Sequence, residues 1–267
     1  MSKKIIFQTR SLGSEQDPSQ DKEDLVRWIQ SRAGLGGDLV RYWFQKPLTW
    51  QREAEVGVPC AGGLFYGERL QECIAGINNR KIVGELGLDP GLIKTDIEEV
   101  IKKPHPLWVA MPGPGQLGIA DEYYGDPEEA SRNLFSWFRR LMREMRDSGA
   151  DGHVLICDKV NEEELEALCG KKILFYLSVP TLEGLELLLE HQRTIAVTGA
   201  AIDQVISLKE EYPVDNLVLI DPSISGLEIS LQHWETDHIT AGGYCREQCP
   251  EYWKNIVKAA VFQPPSE

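Results

Sequence analysis

The sequence predicts a closed (β/α)₈ barrel, an α/β fold whose parallel strands are covered by helices. Three observations carry that reading. From Leu107 onward, short apolar runs alternate with amphipathic stretches about every 20 to 25 residues, the rhythm of a parallel sheet with helical crossovers. The runs are apolar throughout rather than on alternate residues, as expected of strands buried on both faces. The chain of 267 residues also suits one barrel domain, which commonly needs about 250 residues for its eight strands. An open doubly wound sheet is the alternative. No repeat, low-complexity tract or composition shift marks a boundary, so residues 1–267 are expected to form one domain with a flexible tail at 263–267.

Taken in order, Lys4–Thr9 reads as a strand, followed by the turn composition Ser11-Leu12-Gly13-Ser14. Asp21–Arg32 reads as a helix. Leu39–Phe44 is strand or helix by periodicity alone, and Pro47–Gly63 is an excursion of weak pattern. Glu68–Ile77 reads as helical, Lys81–Leu86 is ambiguous, and Ile93–Lys102 is a helix stopped by Pro104 and Pro106. The organising unit follows. Leu107–Met111 is a strand ending at Pro112-Gly113-Pro114-Gly115, Pro127–Asp147 carries the stripe Leu134, Trp137, Phe138, Leu141, Met145 of an amphipathic helix, and His153–Cys157 is a strand closing on Asp158. Asn161–Cys169 is a helix with capping-box spacing. Strands over Ile173–Val179, Thr194–Thr198 and Asn216–Ile220 alternate with helices over Leu182–Glu190 and Ala201–Glu211. Ile224–Gln232 is a helix or an amphipathic strand, His238–Thr240 a last strand before Gly242-Gly243, and Pro250–Phe262 a terminal helix.

Bulk properties narrow the function. A net charge of −14 and a pI near 4.9 exclude a nucleic-acid surface, which needs clustered Lys and Arg. The cluster Arg139, Arg140, Arg143 falls on the polar face of its helix and reads as solvated. The N-terminus lacks the apolar run of a signal peptide, and no segment reaches the roughly 18 to 20 apolar residues of a membrane span. The protein is therefore expected in the cytoplasm, and its six cysteines are expected as free thiols rather than a disulfide framework.

Candidate chemistry gathers where strands end. Asp158 and Asp221 each follow an apolar strand and should share one rim, as catalytic carboxylates or as helix caps. The Pro112–Gly118 loop lacks a nucleotide fingerprint, but Gln116, Glu122 and Tyr123 behind it are candidate substrate contacts. His233, Glu235, Asp237, His238, Cys245 and Cys249 crowd one stretch with donor types that zinc accepts, although in no standard spacing; Cys245 and His238 are the candidate ligands. His105, between prolines, and His191 read as surface residues. Around Asp38 and Arg41 the bland reading is a surface ion pair.

In order along the chain, these pieces resemble the catalytic barrel of cobalamin-independent methionine synthase, within the wider group that includes uroporphyrinogen decarboxylase and corrinoid-linked methyltransferases. Thr9-Arg-Ser-Leu-Gly13-Ser14 is similar to the family's T-x-x-I-G-S, and Asp38-Leu-Val-Arg-Tyr42-Trp43 to its D-M-V-x-Y-F. Pro112-Gly113-Pro114 with Ser148-Gly-Ala-Asp-Gly-His-Val-Leu-Ile-Cys-Asp158 resembles its T-G-P loop and I-D-E-P strand. Tyr244-Cys245 with Trp253-Lys-Asn-Ile-Val-Lys-Ala-Ala260 resembles its closing cysteine and final helix. The resemblance implies the barrel, methyl-group or one-carbon transfer, an amino-acid or pterin cavity in which Asp38 and Asp158 bind substrate, and a zinc ion that activates a thiol.

The sequence departs from that family at the zinc ligands. Phe175-Tyr-Leu-Ser178-Val stands where His-x-Cys is expected, Val197-Thr198-Gly199 where a Glu is expected, and Asp221-Pro-Ser223 replaces the proton-donor D-x-H-S. Cys245 alone remains. The expectation is therefore a divergent methyltransferase-like barrel whose carrier is a folate, pterin or corrinoid, the last held by a partner corrinoid protein, with zinc as a further candidate. A non-catalytic small-molecule-binding or assembly protein on the same barrel is the second expectation.

Overall fold

Among the described residues, eight parallel strands carry the fold: β1 (Gln8–Ser14), β2 (Cys60–Gly62), β3 (Trp108–Pro112), β4 (Gly152–Cys157), β5 (Ile173–Leu177), β6 (Thr194–Thr198), β7 (Asn216–Ile220) and β8 (Ile239–Cys245). The structure is a computed structural model in which residues 4–15, 22–32, 38–101, 106–247 and 249–263 are described. The readings of His105 as a surface residue and of a flexible tail over 264–267 lie outside the described residues. Continuous ladders join β6-β7-β8-β1 and β2-β3-β4-β5.

Two seams close the ring; a glutamine side chain bridges the one between β5 and β6, and another covers the open edge of β2 at the other. Between β1 and β2 the backbone pairs only just before β2, through Ser11 N to Val58 O and Val58 N to Thr9 O, both 2.9 Å. Beyond that point Gln51 Oε1 accepts from Cys60 N at 2.7 Å and its Nε2 donates to Cys60 O at 2.8 Å. Between β5 and β6, Gln192 accepts from Phe175 N at 3.0 Å and donates to Phe175 O at 3.0 Å and Thr194 O at 2.8 Å. A primary amide offers the donor and acceptor of a peptide group, so it satisfies backbone atoms that the next strand does not reach.

Strand side chains alternate between lumen and helix layer. Leu12, Cys60, Ala110, Val154, Ile156 and Val218 fill the barrel with Tyr176 and Tyr244 above them. Val109, Met111, Leu155, Phe175, Val197 and Leu219 face outward into the larger helix-covered core. At the lower end Arg10 stacks on Trp108, 3.9 Å from the ring centroid, and burial lowers its pKa.

The helices are α1 (Lys22–Ser31), α2 (Leu39–Glu53), α3 (Gly67–Cys73), α4 (Gly91–Val100), α5 (Pro127–Asp147), α6 (Glu162–Leu168), α7 (Leu182–His191), α8 (Ile202–Leu208), α9 (Ile224–His233) and α10 (Cys249–Ala259). Short polar side chains start them where the pattern predicts. Asp126 accepts from Glu128 N, Asn161 from Glu164 N, Thr181 from Gly184 N and Ser223 from Gly226 N. The stripe of α5 buries Leu134, Trp137, Phe138, Leu141 and Met145 as its spacing requires. Among the described residues no helix is long and apolar enough to cross a membrane.

Several expectations are corrected. Ser11–Ser14 is strand, not turn, because Ser11 and Leu12 are fully buried in the ring and Ser11 Oγ accepts from Gly13 N. Leu39–Phe44 is the start of α2, which continues through Pro47 to Glu53, so the supposed excursion contains half a helix and then β2. Glu68–Ile77 divides into α3 and the strand Ile74–Asn78, which forms an antiparallel hairpin with Lys81–Leu88. Its turn, Asn79-Arg80, has φ of 50° and 59°, the left-handed pair that a two-residue hairpin needs. Finally, β8 runs through Gly242-Gly243. A Cβ at Gly243 would lie 2.6 Å from the Tyr252 hydroxyl, so glycine there admits α10 rather than ending the strand.

Candidate functional site

The carboxyl ends of β5 to β8 surround a cavity of ≈ 320 Å³ lined by Tyr176, Ser178, Thr198, Ile220, Asp221, Tyr244, Arg246, Glu247 and Tyr252. Strand alternation explains the lining: Tyr176 and Ser178, Ile220, and Tyr244 continue the inward phase of their strands to the open end. Asp221 leaves β7 with φ of +51°, a left-handed conformation uncommon for a non-glycine residue. Its Oδ1 accepts from Tyr252 Oη at 2.5 Å. Tyr244 Oη donates to the Glu15 carboxylate and accepts from Leu64 N at 3.4 Å. Burial first, and the adjoining carboxylate second, raise the pKa of both tyrosines, so both stay protonated donors. Tyr176 is raised by burial as well, and its ring centre lies 5.9 Å from that of Tyr244.

Asp158 stands on the same rim after β4, joined to the cavity through a neighbour. It accepts from Ser178 Oγ, which lines the cavity, and from Gln116 Nε2 at 2.7 Å, and these two bonds lower its pKa. Gln116 thus ties the Pro112–Gly118 loop to the end of β4, and Ser178 ties that end to β5. Neither Asp158 nor Asp221 caps a helix, since Asn161 and Ser223 do so. The two acids share a rim and do not touch.

Below that loop lies Glu164. Asn161 caps α6 as the capping-box spacing predicts, but the Glu164 carboxylate turns to Gly115 N, 3.2 Å from Oε2, and leaves Oε1 buried with no partner. Burial pushes its pKa up to about 7.

Other expected site residues lie elsewhere. Asp38 caps α2 through Arg41 N at 2.8 Å and accepts two bonds of 2.7 Å from Arg69 Nη2. Partial burial works against its charge, but these bonds and the two arginines hold its pKa down. It belongs to a network centred on the fully buried Asp96, which accepts from Arg41 Nε and Arg69 Nε, both at 2.8 Å, and from Tyr66 Oη at 3.2 Å. The Asp38–Trp43 segment is therefore neither a surface ion pair nor part of the mouth; it locks α2, α3 and α4 together. Glu122 pairs with Lys81 beside the hairpin and Tyr123 is half-exposed next to the Asp121 turn, and neither lines the mouth.

The metal pairing fails on geometry. Cys245 ends β8 and His238 precedes its first residue, so six strand residues, roughly 20 Å, separate them. His238 Nδ1 is held by Asn216 Oδ1 at 3.1 Å at the opposite end of the barrel, where Glu235 and Asp237 are its acidic neighbours. Cys245 forms a disulfide with Cys249, correcting the expectation of free thiols; Cys60, Cys73, Cys157 and Cys169 are free.

The barrel is similar to the putative vitamin-B12-independent methionine synthase of Listeria monocytogenes, at a TM-score of 0.63 and 11% identity over 96% of this chain and 95% of that one. It is also similar to the B12-independent methionine synthase of a Shewanella species in complex with selenomethionine, at 0.55 and 13% over 96% of each chain. The likeness is one of fold. No protein-family model matches the sequence, and no curated protein matches it.

The donors at the strand ends do not fit a zinc ion of the kind the resemblance implies. Ser178 and Thr198 stand at the carboxyl ends of β5 and β6 and offer only hydroxyls, and the sulfur that ends β8 is bound to another sulfur. What sequence reasoning missed is aromatic and basic: Tyr176, Tyr244, Tyr252 and Arg246. Tyr176 is legible only as an apolar strand position, because both faces of a parallel strand are buried and periodicity does not say which one is the lumen, and Tyr244 falls beyond the predicted strand His238–Thr240.

Proposed function

We propose that the mouth of β5 to β8 binds a small zwitterionic ligand and that the protein takes part in methyl-group or one-carbon transfer, with a folate, pterin or corrinoid as the carrier. The observation that carries this reading is the pairing of opposite charges in one aromatic-walled cavity. Asp221 and Glu247 suit an ammonium group, Arg246 suits a carboxylate, and Tyr176 and Tyr244 supply walls of limited polarity. Tyr252 donates its hydroxyl hydrogen bond to the Asp221 carboxylate and so fixes that acceptor at the wall of the cavity. The order of family-like segments along the chain and the shared barrel support the reaction class.

With no fitting zinc donors, the nucleophile that takes the methyl group would be a corrinoid held by a partner protein, which needs no zinc on this chain. A cytoplasmic setting accords with that chemistry. The disulfide at Cys245 favours the second reading, a barrel that binds its ligand without transforming it.

Titration calorimetry with methylated pterins, methylcobalamin and free amino acids decides. The expected result is saturable binding of a carrier and of an amino acid, with Asp221→Asn weakening the amino acid at least roughly tenfold, the loss of one charge-assisted contact. Amino-acid binding without any carrier selects the second reading. Binding of neither class removes both.

A further inference from the structure

We propose that the Cys245–Cys249 bridge is a redox switch that sets the shape of the mouth. Cys245 is the last residue of β8 and Cys249 the first of α10, so the bridge closes covalently over the segment that brings Arg246 and Glu247 to the cavity wall. It also fixes the start of α10, three residues before Tyr252, whose hydroxyl holds Asp221 and sits against Gly243. Both sulfurs are buried against Val56, Trp253 and Ile256. One covalent bond therefore governs two sides of the cavity.

The reduced form also has a place in the fold. Cys245 Sγ lies 3.5 Å from the Glu247 carbonyl, which would accept a hydrogen bond from a thiol there. Two arrangements are thus available, one covalent and one hydrogen-bonded. Competing thiol chemistry is suppressed, because burial pushes Cys60 and Cys157 up to about 12 and Cys73 and Cys169 up to about 11.

The exchange is balanced with a dithiol as reductant. Its thiolate attacks one sulfur of the bridge, forming a mixed disulfide and expelling the other sulfur as a thiolate that takes up a proton. The second thiol of the reductant then displaces the remaining protein sulfur. The protein gains two thiols, and the dithiol becomes a disulfide.

The consequence for ligand binding rests on the mouth being the ligand site, whereas the switch itself does not. The test therefore reads the backbone. The full chain is equilibrated with reduced or oxidised dithiothreitol, new thiols are counted by alkylation and mass, and hydrogen exchange is followed by peptide. Reduction is expected to release two thiols and to speed exchange over 244–255 by roughly tenfold or more, with β3 and β4 unchanged. Cys249→Ser should show the fast pattern without reductant and ignore its addition. Three results overturn the proposal: no bridge under oxidant, unchanged exchange on reduction, or loss of protection throughout the barrel. The last would make the bridge a structural staple. If the variant does not fold, the wild-type comparison stands alone as the test.

Discussion

Asp96 shows how one residue can turn an apparent surface motif into a core element. Its carboxylate has no exposure and compensates two guanidiniums, those of Arg41 and Arg69, that are themselves almost fully buried. Burying such a set gains little over an apolar core, but removing one member strands charge without solvent. Asp96→Asn should therefore destabilise the protein by about 3 kcal/mol, the lower end of the usual range because Asp38 and Glu72 still reach Arg69. Urea unfolding measures it, and a loss below about 1 kcal/mol would mean the arginines find other partners. Asp38, by contrast, looks from the sequence like a site carboxylate. Its charge is consumed by a cap and an ion pair that only the packing of α2 on α3 creates.

At the scale of elements, the ring is held at one of its seams by a side chain. Where β5 and β6 diverge, the outward-facing N–H and C=O of Phe175 meet the amide of Gln192, the residue that ends α7. Gln192→Leu would keep the volume and leave three backbone groups short of a partner, at a cost of about 2 kcal/mol or more. Amide exchange gives the sharper reading. The Phe175 amide should lose protection while that of Ser178, which bonds Cys157 O across β4, keeps it. Equal loss at both would indicate collapse of the strand rather than an open seam. The same local chemistry limits what sequence reveals. Strongly periodic elements, such as α5, β6 and β7, are legible to within a residue. Ser11–Ser14 and Gly242-Gly243 are not, since small residues that pack a barrel wall have the composition of a turn. The rim positions of Asp158 and Asp221 follow from the apolar runs before them, but the tyrosines opposite become visible only once the ring closes.

For the whole molecule, two buried titratable groups on β4 and its following helix tilt stability in opposite directions with pH. Glu164 has its pKa raised from 4.5 to about 7 by burial, so it contributes most below about pH 4.5 and its contribution is lost as pH rises to about 7. His153 is fully buried, bonded through Nε2 to Met142 O at 3.1 Å; burial first, and Arg146 second, lower its pKa from 6.5 to about 3. Its contribution is complete above about pH 6.5 and is lost as pH falls to about 3. Each is worth on the order of 3 to 5 kcal/mol when fully expressed. Cys157 and Cys169 face Glu164, while Arg146 and Lys172 face His153, so the two sites have separate surroundings and their effects should add. Between about pH 4.5 and 6.5 the slopes oppose one another, and these two groups together leave the wild type nearly flat. Glu164→Gln should uncover a stability that climbs with pH across that window, and His153→Gln one that falls. The double variant should be flat again. Urea unfolding at several pH values between 4.5 and 7.5 checks all four chains, and parallel profiles for Glu164→Gln and the wild type would show that Glu164 titrates as an ordinary, solvated acid.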